Sequence, residues 1–475
     1  MRWLAFGTYD VHRHPRVGVL IQGLRAAGDE VVEVNVPLAL DTAGRVAMLR
    51  QPWRLPKLAW MLARCWALLA LRSRRARGAG PDAPDAVLVG YLGHFDVRLA
   101  RRLFRRTPIV LDHLISAAGT ARDRGLTPTS PPSPTTSPDA SPTAPSPAGR
   151  PDTAPPNGAA GSGGAAKASP GPAGPPTTAP SNGAGGTGGV GVTSPSPAAA
   201  PVAVASTGSR ADAAETSAGA SGGGVKAGLM RWIDRGALAS ADVVVVDTEE
   251  HLAALPADVA PRGVVALVGA GAEWFAAGAA RGARPAGGPL KVVFVGLFTP
   301  LHGTEYLGEA LARLADDERI EVTMVGKGQD YDACRAAAAG NPRVTWVDWV
   351  TADMLPALVA AHDVSLGIFG TTAKAQNVVP TKVYQGAAAA CAIVTSDTAP
   401  QRRALGDDAL FVTPGDVAAL TATLRALADD RAMLASYQRA AAARAASRFA
   451  AATVVEPIRA KLALSSQPPV MQETR

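Results

Sequence analysis

The sequence predicts an α/β protein built from two consecutive doubly wound domains. Three observations carry this. Short β-branched runs of the buried, parallel type alternate with helical spacers, a Pro/Gly-rich break falls near Arg281 to Pro289, and beyond the break the same alternation restarts. The 475 residues exceed one ordinary core, and 47% hydrophobic content can fill two.

In the first domain (1–280), the strands are "RWLAFG" from Arg2, "EVVEVNV" from Glu30, "DAVLVGY" from Asp85, "PIVLDHL" from Pro108 and "ADVVVVDT" from Ala241, with "RVGVLIQGLRAAG" and "DVRLARRLFRR" as helices between them. The fourth and fifth strands are separated by 126–224, which is almost only Pro, Ser, Thr, Ala and Gly. That composition offers too little apolar surface to offset chain entropy, so it is expected to be disordered. Ordered-looking sequence resumes directly after it, which reads as an insertion within the first domain; a tether between domains is the alternative. The second domain (285–464) repeats the pattern with "LKVVFVGLF", "IEVTMVGKG", "VTWVDWV", "VSLGIF", "CAIVTSD" and "ALFVT", followed by two Ala-rich terminal helices and a polar tail, 465–475.

Net charge +7 suits anionic partners or simply reflects an arginine-rich composition, and no nucleic-acid partner is expected. Cys65, Cys334 and Cys391 share no metal-type spacing and form no disulfide framework, which suits a reducing cytoplasm. The N-terminal apolar run is too short for a signal peptide, and no stretch is long enough to span a bilayer. The segment 55–78 mixes Leu, Trp and Met at helical spacing and ends in arginines. It reads equally as a core helix or as peripheral contact with an anionic membrane.

Sheets of this kind place ligands at the carboxyl ends of their strands, beside helix N-termini. Gly7, Gly296 and Gly326 each close a strand where a phosphate could approach. No Gly-x-Gly-x-x-Gly with a following acidic residue is present, so a nicotinamide cofactor is poorly supported. The segment "NVVPTKVYQG" (Asn377 to Gly386) lies between two buried runs and carries a lysine, a helix-starting Pro380 and two amides, the composition of a contact surface.

Through "VVFVGLFTPLHGTEYL", "VTMVGKGQD", "VTWVDWV" and "VSLGIFGTTAKAQNVVPTKVYQGAAAACAIVTSD", the second domain resembles the nucleotide-sugar domain of family-4 glycosyltransferases of the GT-B fold. The first is similar through "GYLGHFDVRLARRL", "PIVLDHLISAAGTARDRG" and "LMRWIDRGALASADVVVVDTEEH". The resemblance implies two Rossmann-like domains facing across a cleft, and retaining transfer of a sugar from a nucleoside diphosphate sugar to a glycan, lipid-linked or small-molecule acceptor. No cofactor beyond that donor is implied. Lys374 and Lys382 would neutralise the diphosphate, and Gly296, His302, Gly303, Gly326, Trp349, Val350 and Gly370 would shape the donor site. Where the family carries two glutamates with seven residues between them, this chain has Asn377 and Gln385, and its loop after the first strand offers Leu297 and His302 in place of Arg and Lys. Arg16, His113 and Lys382 are the catalytic candidates; Gly7, His12, Asp112 and Ser116 line the acceptor side. A catalytically weak GT-B protein that binds a nucleotide or a partner is the alternative, and a nucleotide-sugar epimerase ranks below both. The cysteines, the short N-terminal apolar run and segment 55–78 lead to the expectation of a cytoplasmic protein that can sit at the inner face of the membrane.

Overall fold

The computed structural model describes residues 1–11, 14–38, 53, 55–78, 80–90, 93–114, 220–282, 287–338 and 340–465, with side chains of 55 and 220–227 excepted. In the first domain β1 (Arg2–Gly7), β2 (Glu30–Asn35), β3 (Ala86–Val89), β4 (Ile109–Asp112), β5 (Val243–Val246) and β6 (Gly263–Val265) form one parallel sheet in the order β2-β1-β3-β4-β5-β6. Every residue of β3, β4 and β5 is buried, as a parallel strand covered on both faces requires. One face packs on α1 (Pro15–Ala26), with Pro15 preset for a first helical turn. The other face carries α2 (Leu55–Arg72), α3 (Asp96–Leu103) and α4 (Ala220–Leu238) through Leu69, Val97, Ala100, Ala237 and Leu238. The short helix α5 (Glu249–Ala253) is capped by Thr248 on the His251 amide, and α6 (Ala272–Ala279), expected with the first domain, instead packs on the second, with Trp274 buried in its core.

In the second domain β7 (Leu290–Val295), β8 (Ile320–Val325), β9 (Val344–Val347), β10 (Val364–Leu366), β11 (Ala392–Ser396) and β12 (Leu410–Val412) form a second parallel sheet, ordered β12-β11-β10-β7-β8-β9. Its helices are α7 (Thr304–Arg313), α8 (Tyr331–Ala337), α9 (Leu355–Ala360), α10 (Thr381–Ala388), α11 (Ala399–Leu405), α12 (Val417–Asp429) and α13 (Arg431–Arg444). Asp416 and Asp430 cap the last two on the amides of Ala419 and Met433.

A π-helical turn, Ala445–Phe449, ends α13, and α14 (Ala451–Ser465) follows it. This last helix was expected with the second domain but lies on the first, burying Val454, Val455, Ile458 and Leu462 beside α1. Gly23 permits this approach, since a Cβ there would strike the Ala451 carbonyl. The chain therefore passes between domains twice, side by side, where the Ala270 amide donates to the Phe449 carbonyl at 3.0 Å. The insertion expected to be disordered lies outside the described residues except at its end, where α4 already begins at Ala220 and makes 220–224 helical. Residues 466–475 of the polar tail also lie outside. Among the described residues no helix is long and apolar enough to cross a membrane.

Candidate active site

The carboxyl ends of β7, β8 and β10 meet through backbone contacts that only glycine permits. A Cβ at Gly326 (φ +120°) would collide with the Gly296 carbonyl, and Gly303 (φ +62°) brings its backbone where a Cβ would stand 2.5 Å from the Gly370 amide nitrogen. The Phe369 amide donates to the His302 carbonyl at 3.0 Å, locking the loop after β7 to the loop after β10.

Lys382, at the second position of α10, reaches into this junction. Its Nζ lies 3.8 Å from the centroid of the Phe294 ring and would be 2.7 Å from a Cβ on Gly296. That atom is buried without a hydrogen-bond partner, and burial pushes the lysine well below its ordinary value. Pro380 is the N-cap residue of α10 and offers no side-chain cap, and the positive end of the helix lies beside Lys382. Gln385 is half-buried one turn along and shares a helix face with Lys382.

His302 is tied to its own loop. Its Nδ1 bonds to the Leu297 carbonyl, which can only accept, so the proton sits on Nδ1 and Nε2 is left as an acceptor. Burial first, then the neighbouring Lys382, lowers its pKa to about 3. The ring is neutral near pH 7 and adds no cation to the site. The half-buried Lys374 stands near enough to His302 to depress it further.

On the first domain, Arg16 donates from Nε to Asp112 Oδ1 at 2.7 Å and from an Nη to the Ala266 carbonyl at 3.0 Å, all within the interior. Its other Nη and Asp112 Oδ2 have no hydrogen-bond partner. Burial pushes Asp112 up, and Arg16 opposes it. His113 is buried edge-on to His94, ring centroids 5.4 Å apart, and His94 Nε2 lies 3.1 Å from Asp234 Oδ1. Burial, and then His94, lowers His113 to about 4, so it too is neutral at pH 7. Gly7 (φ +152°) begins a loop tied by Asp96, whose Oδ2 accepts from the Thr8 amide at 2.7 Å.

Direct contacts join the domains beside these residues: Thr248 Oγ1 donates to the Asn377 carbonyl at 3.0 Å, and Glu250 pairs with Arg403. The structure thus brings Gly296, His302, Gly303, Gly326, Gly370, Lys374 and Lys382 to one place, and Arg16 with Asp112 to another. The Asn377 side chain is exposed, Trp349 is 78% exposed, and Val350 is half-buried against the second core. His12 and Ser116 lie outside the described residues. His94 and Asp234, and the Asp247 to His251 pair at 2.6 Å beyond β5, were not anticipated. The only signal for them was their place at strand ends, in "GYLGHFD" and "VVDTEEH", and in the helix before β5.

Two parallel doubly wound six-stranded domains are the arrangement of the GT-B fold. Residues 289–430 match the family described as glycosyl transferases group 1. Among solved structures, sucrose-phosphate synthase from Thermosynechococcus elongatus aligns at 12% identity over 98% of this chain and 99% of that one, with TM-score 0.56. HepE of Anabaena in complex with UDP-glucose aligns at 11% identity over 98% and 99%, with TM-score 0.51. A glycosyltransferase from Rickettsia africae aligns at 10% over 98% and 99%, with TM-score 0.51. At these identities the likeness is one of fold. No curated protein matches the chain.

Proposed function

We propose that the protein transfers a sugar, with retention of configuration, from a nucleoside diphosphate sugar to an acceptor held against the first domain. The observation that carries this is Lys382, whose buried, unpartnered Nζ lies at the N-terminal turn of α10 beneath Gly296. A diphosphate would supply the missing acceptor, favour the charged ammonium and be favoured by the helix N-terminus. HepE, bound to UDP-glucose, has the same fold, which supports a donor of that class.

Catalysis of this kind asks the chain to orient two substrates, stabilise the departing diphosphate and exclude water. Lys382 and Lys374 serve the second need; Gln385 offers an amide to the ribose. Arg16, with one Nη unpaired, and the neutral His113 serve the acceptor side. The acceptor is a glycan, a lipid-linked molecule or a small molecule, and segment 55–78 supports peripheral contact at the inner face of the membrane.

Thermal shift against UDP, GDP, TDP and ADP tests the donor reading. At least one should stabilise the protein, and Lys382→Ala should weaken that ligand about tenfold or more, the value of a lost charge-assisted hydrogen bond. Absence of stabilisation by all four would defeat it. The amides at Asn377 and Gln385 favour a second reading, a protein that binds the nucleotide with little transfer; it is distinguished by retained binding with no sugar release, and by Gln385→Glu raising affinity.

A further inference from the structure

The helices α2, α3 and α4 share one face of the first sheet, so their outer sides form a single surface. That surface is unusual in charge. Its three helices carry two carboxylates, Asp96 and Asp234, and both are buried. Cations are outward on each: Lys57 and Arg64 on α2, Arg102 on α3, Arg231 and Arg235 on α4. It is also unusual in apolar exposure. On α2 only Cys65 and Leu69 are buried, and Lys57, Trp60, Arg64, Ala67 and Leu71 run along its open side at helical spacing. Trp60 is 64% exposed and Trp232 on α4 is 61% exposed, with the Arg98 guanidinium 4.4 Å from the Trp232 ring.

Height along the sheet can be read from two contacts. Trp66 Nε1 donates to Asp96 Oδ1 at 2.9 Å, and Asp96 holds the loop after β1, so Trp66 is level with the carboxyl edge of the strands. Asp234 meets His94, in the loop after β3, so it is level with the same edge. A helix that leads into the next parallel strand runs opposite to it, with its N-terminus beyond the carboxyl edge. Trp60, six residues before Trp66, and Leu229 and Trp232, before Asp234, therefore stand on the rim of the cleft.

We infer that this three-helix layer docks the protein on an anionic lipid bilayer, with Trp60, Leu229 and Trp232 entering the interface and the acceptor mouth facing the lipid. Exposed Trp and Leu beside arginines match such an interface in both of its properties, apolar depth and surface charge. A soluble polyanion would account for the arginines alone. The inference rests on the transfer reading only for the acceptor it places at the rim.

Co-sedimentation of the full chain with vesicles tests it, using phosphatidylcholine alone and phosphatidylcholine with one third phosphatidylglycerol, at low and raised salt. Binding should need phosphatidylglycerol and weaken with salt. Arg64→Gln and Arg231→Gln should each reduce partition about fivefold, and Trp60→Ser and Trp232→Ser each about tenfold. Trp232→Ser bound as tightly as the unaltered chain would overturn the composite face and leave α2 alone. No preference for the anionic vesicles, or capture by heparin that outcompetes them and ignores the Trp replacements, would overturn lipid docking. The nucleotide thermal shift, taken on the same samples, keeps this separate from the donor site: vesicle binding lost with the shift retained defeats docking, and the reverse defeats the donor reading.

Discussion

Lys382 Nζ rests on the face of Phe294 with no hydrogen-bond partner, and burial pushes its pKa well below the ordinary lysine value. The native chain holds that proton less tightly than the unfolded chain does, so burial of this residue lowers stability below the ordinary lysine pKa, pH 7 included. Lys382→Met should therefore raise the free energy of unfolding by about 1 kcal/mol or more in urea titration at pH 7, while abolishing nucleotide stabilisation. A fall in stability would show that the ammonium is satisfied in the free protein. His113 and His302 act in the same direction at lower pH. Both have native values, about 4 and about 3, below that of the unfolded chain. Their contribution is complete above the unfolded histidine pKa and is lost as pH falls from about 6.5 toward those values. His302→Asn should flatten the acid limb of stability against pH by up to about 1.4 kcal/mol per pH unit, one proton fewer in the linkage.

The elements that were legible in the sequence are those whose pattern answers to burial. β3 to β5 are continuous apolar runs because both faces are covered, and α10 announces itself through Pro380. β6 was not legible: it is three half-buried residues, "GVV", at a sheet edge, too short to show a period. The docking of α14 was equally hidden, since its apolar stripe does not say which domain it faces. In the site, the glycines and Lys382 could be found because strand ends and helix starts are local signals. The Arg16 to Asp112 pair, 96 residues apart, and the inward turn of His302 depend on tertiary placement. The close seating of two loops also belongs to this scale. Gly370→Ala would drive a methyl into the Pro300 carbonyl and separate the loops after β7 and β10. It should destabilise the second domain by about 1 to 3 kcal/mol in urea unfolding and weaken nucleotide binding more than Gly282→Ala, whose Cβ meets open space.

For the whole molecule, the described first domain is continuous across the two ends of the long Pro/Ala/Gly/Ser/Thr segment, with β4 leading in and α4 leading out onto adjacent strands. Removing 127–218 should leave nucleotide stabilisation and thermal transition nearly unchanged, as a surface loop of any length closes at a cost that grows only slowly; failure to fold would show that the segment contributes to the core. The last helix sets the opposite expectation. Because α14 buries Val454, Val455, Ile458 and Leu462 against the first domain, a stop codon after Phe449 should leave the second domain's strands complete and unfold the first, visible as protease sensitivity confined to the N-terminal half. The same return crossing governs biosynthesis. The ribosome releases all of the second domain before it releases the piece that finishes the first, so the N-terminal half waits on the order of ten seconds with one face of its sheet incompletely covered. That interval makes the nascent N-terminal half a client for chaperones during translation, and it ties its maturation to the arrival of the final residues.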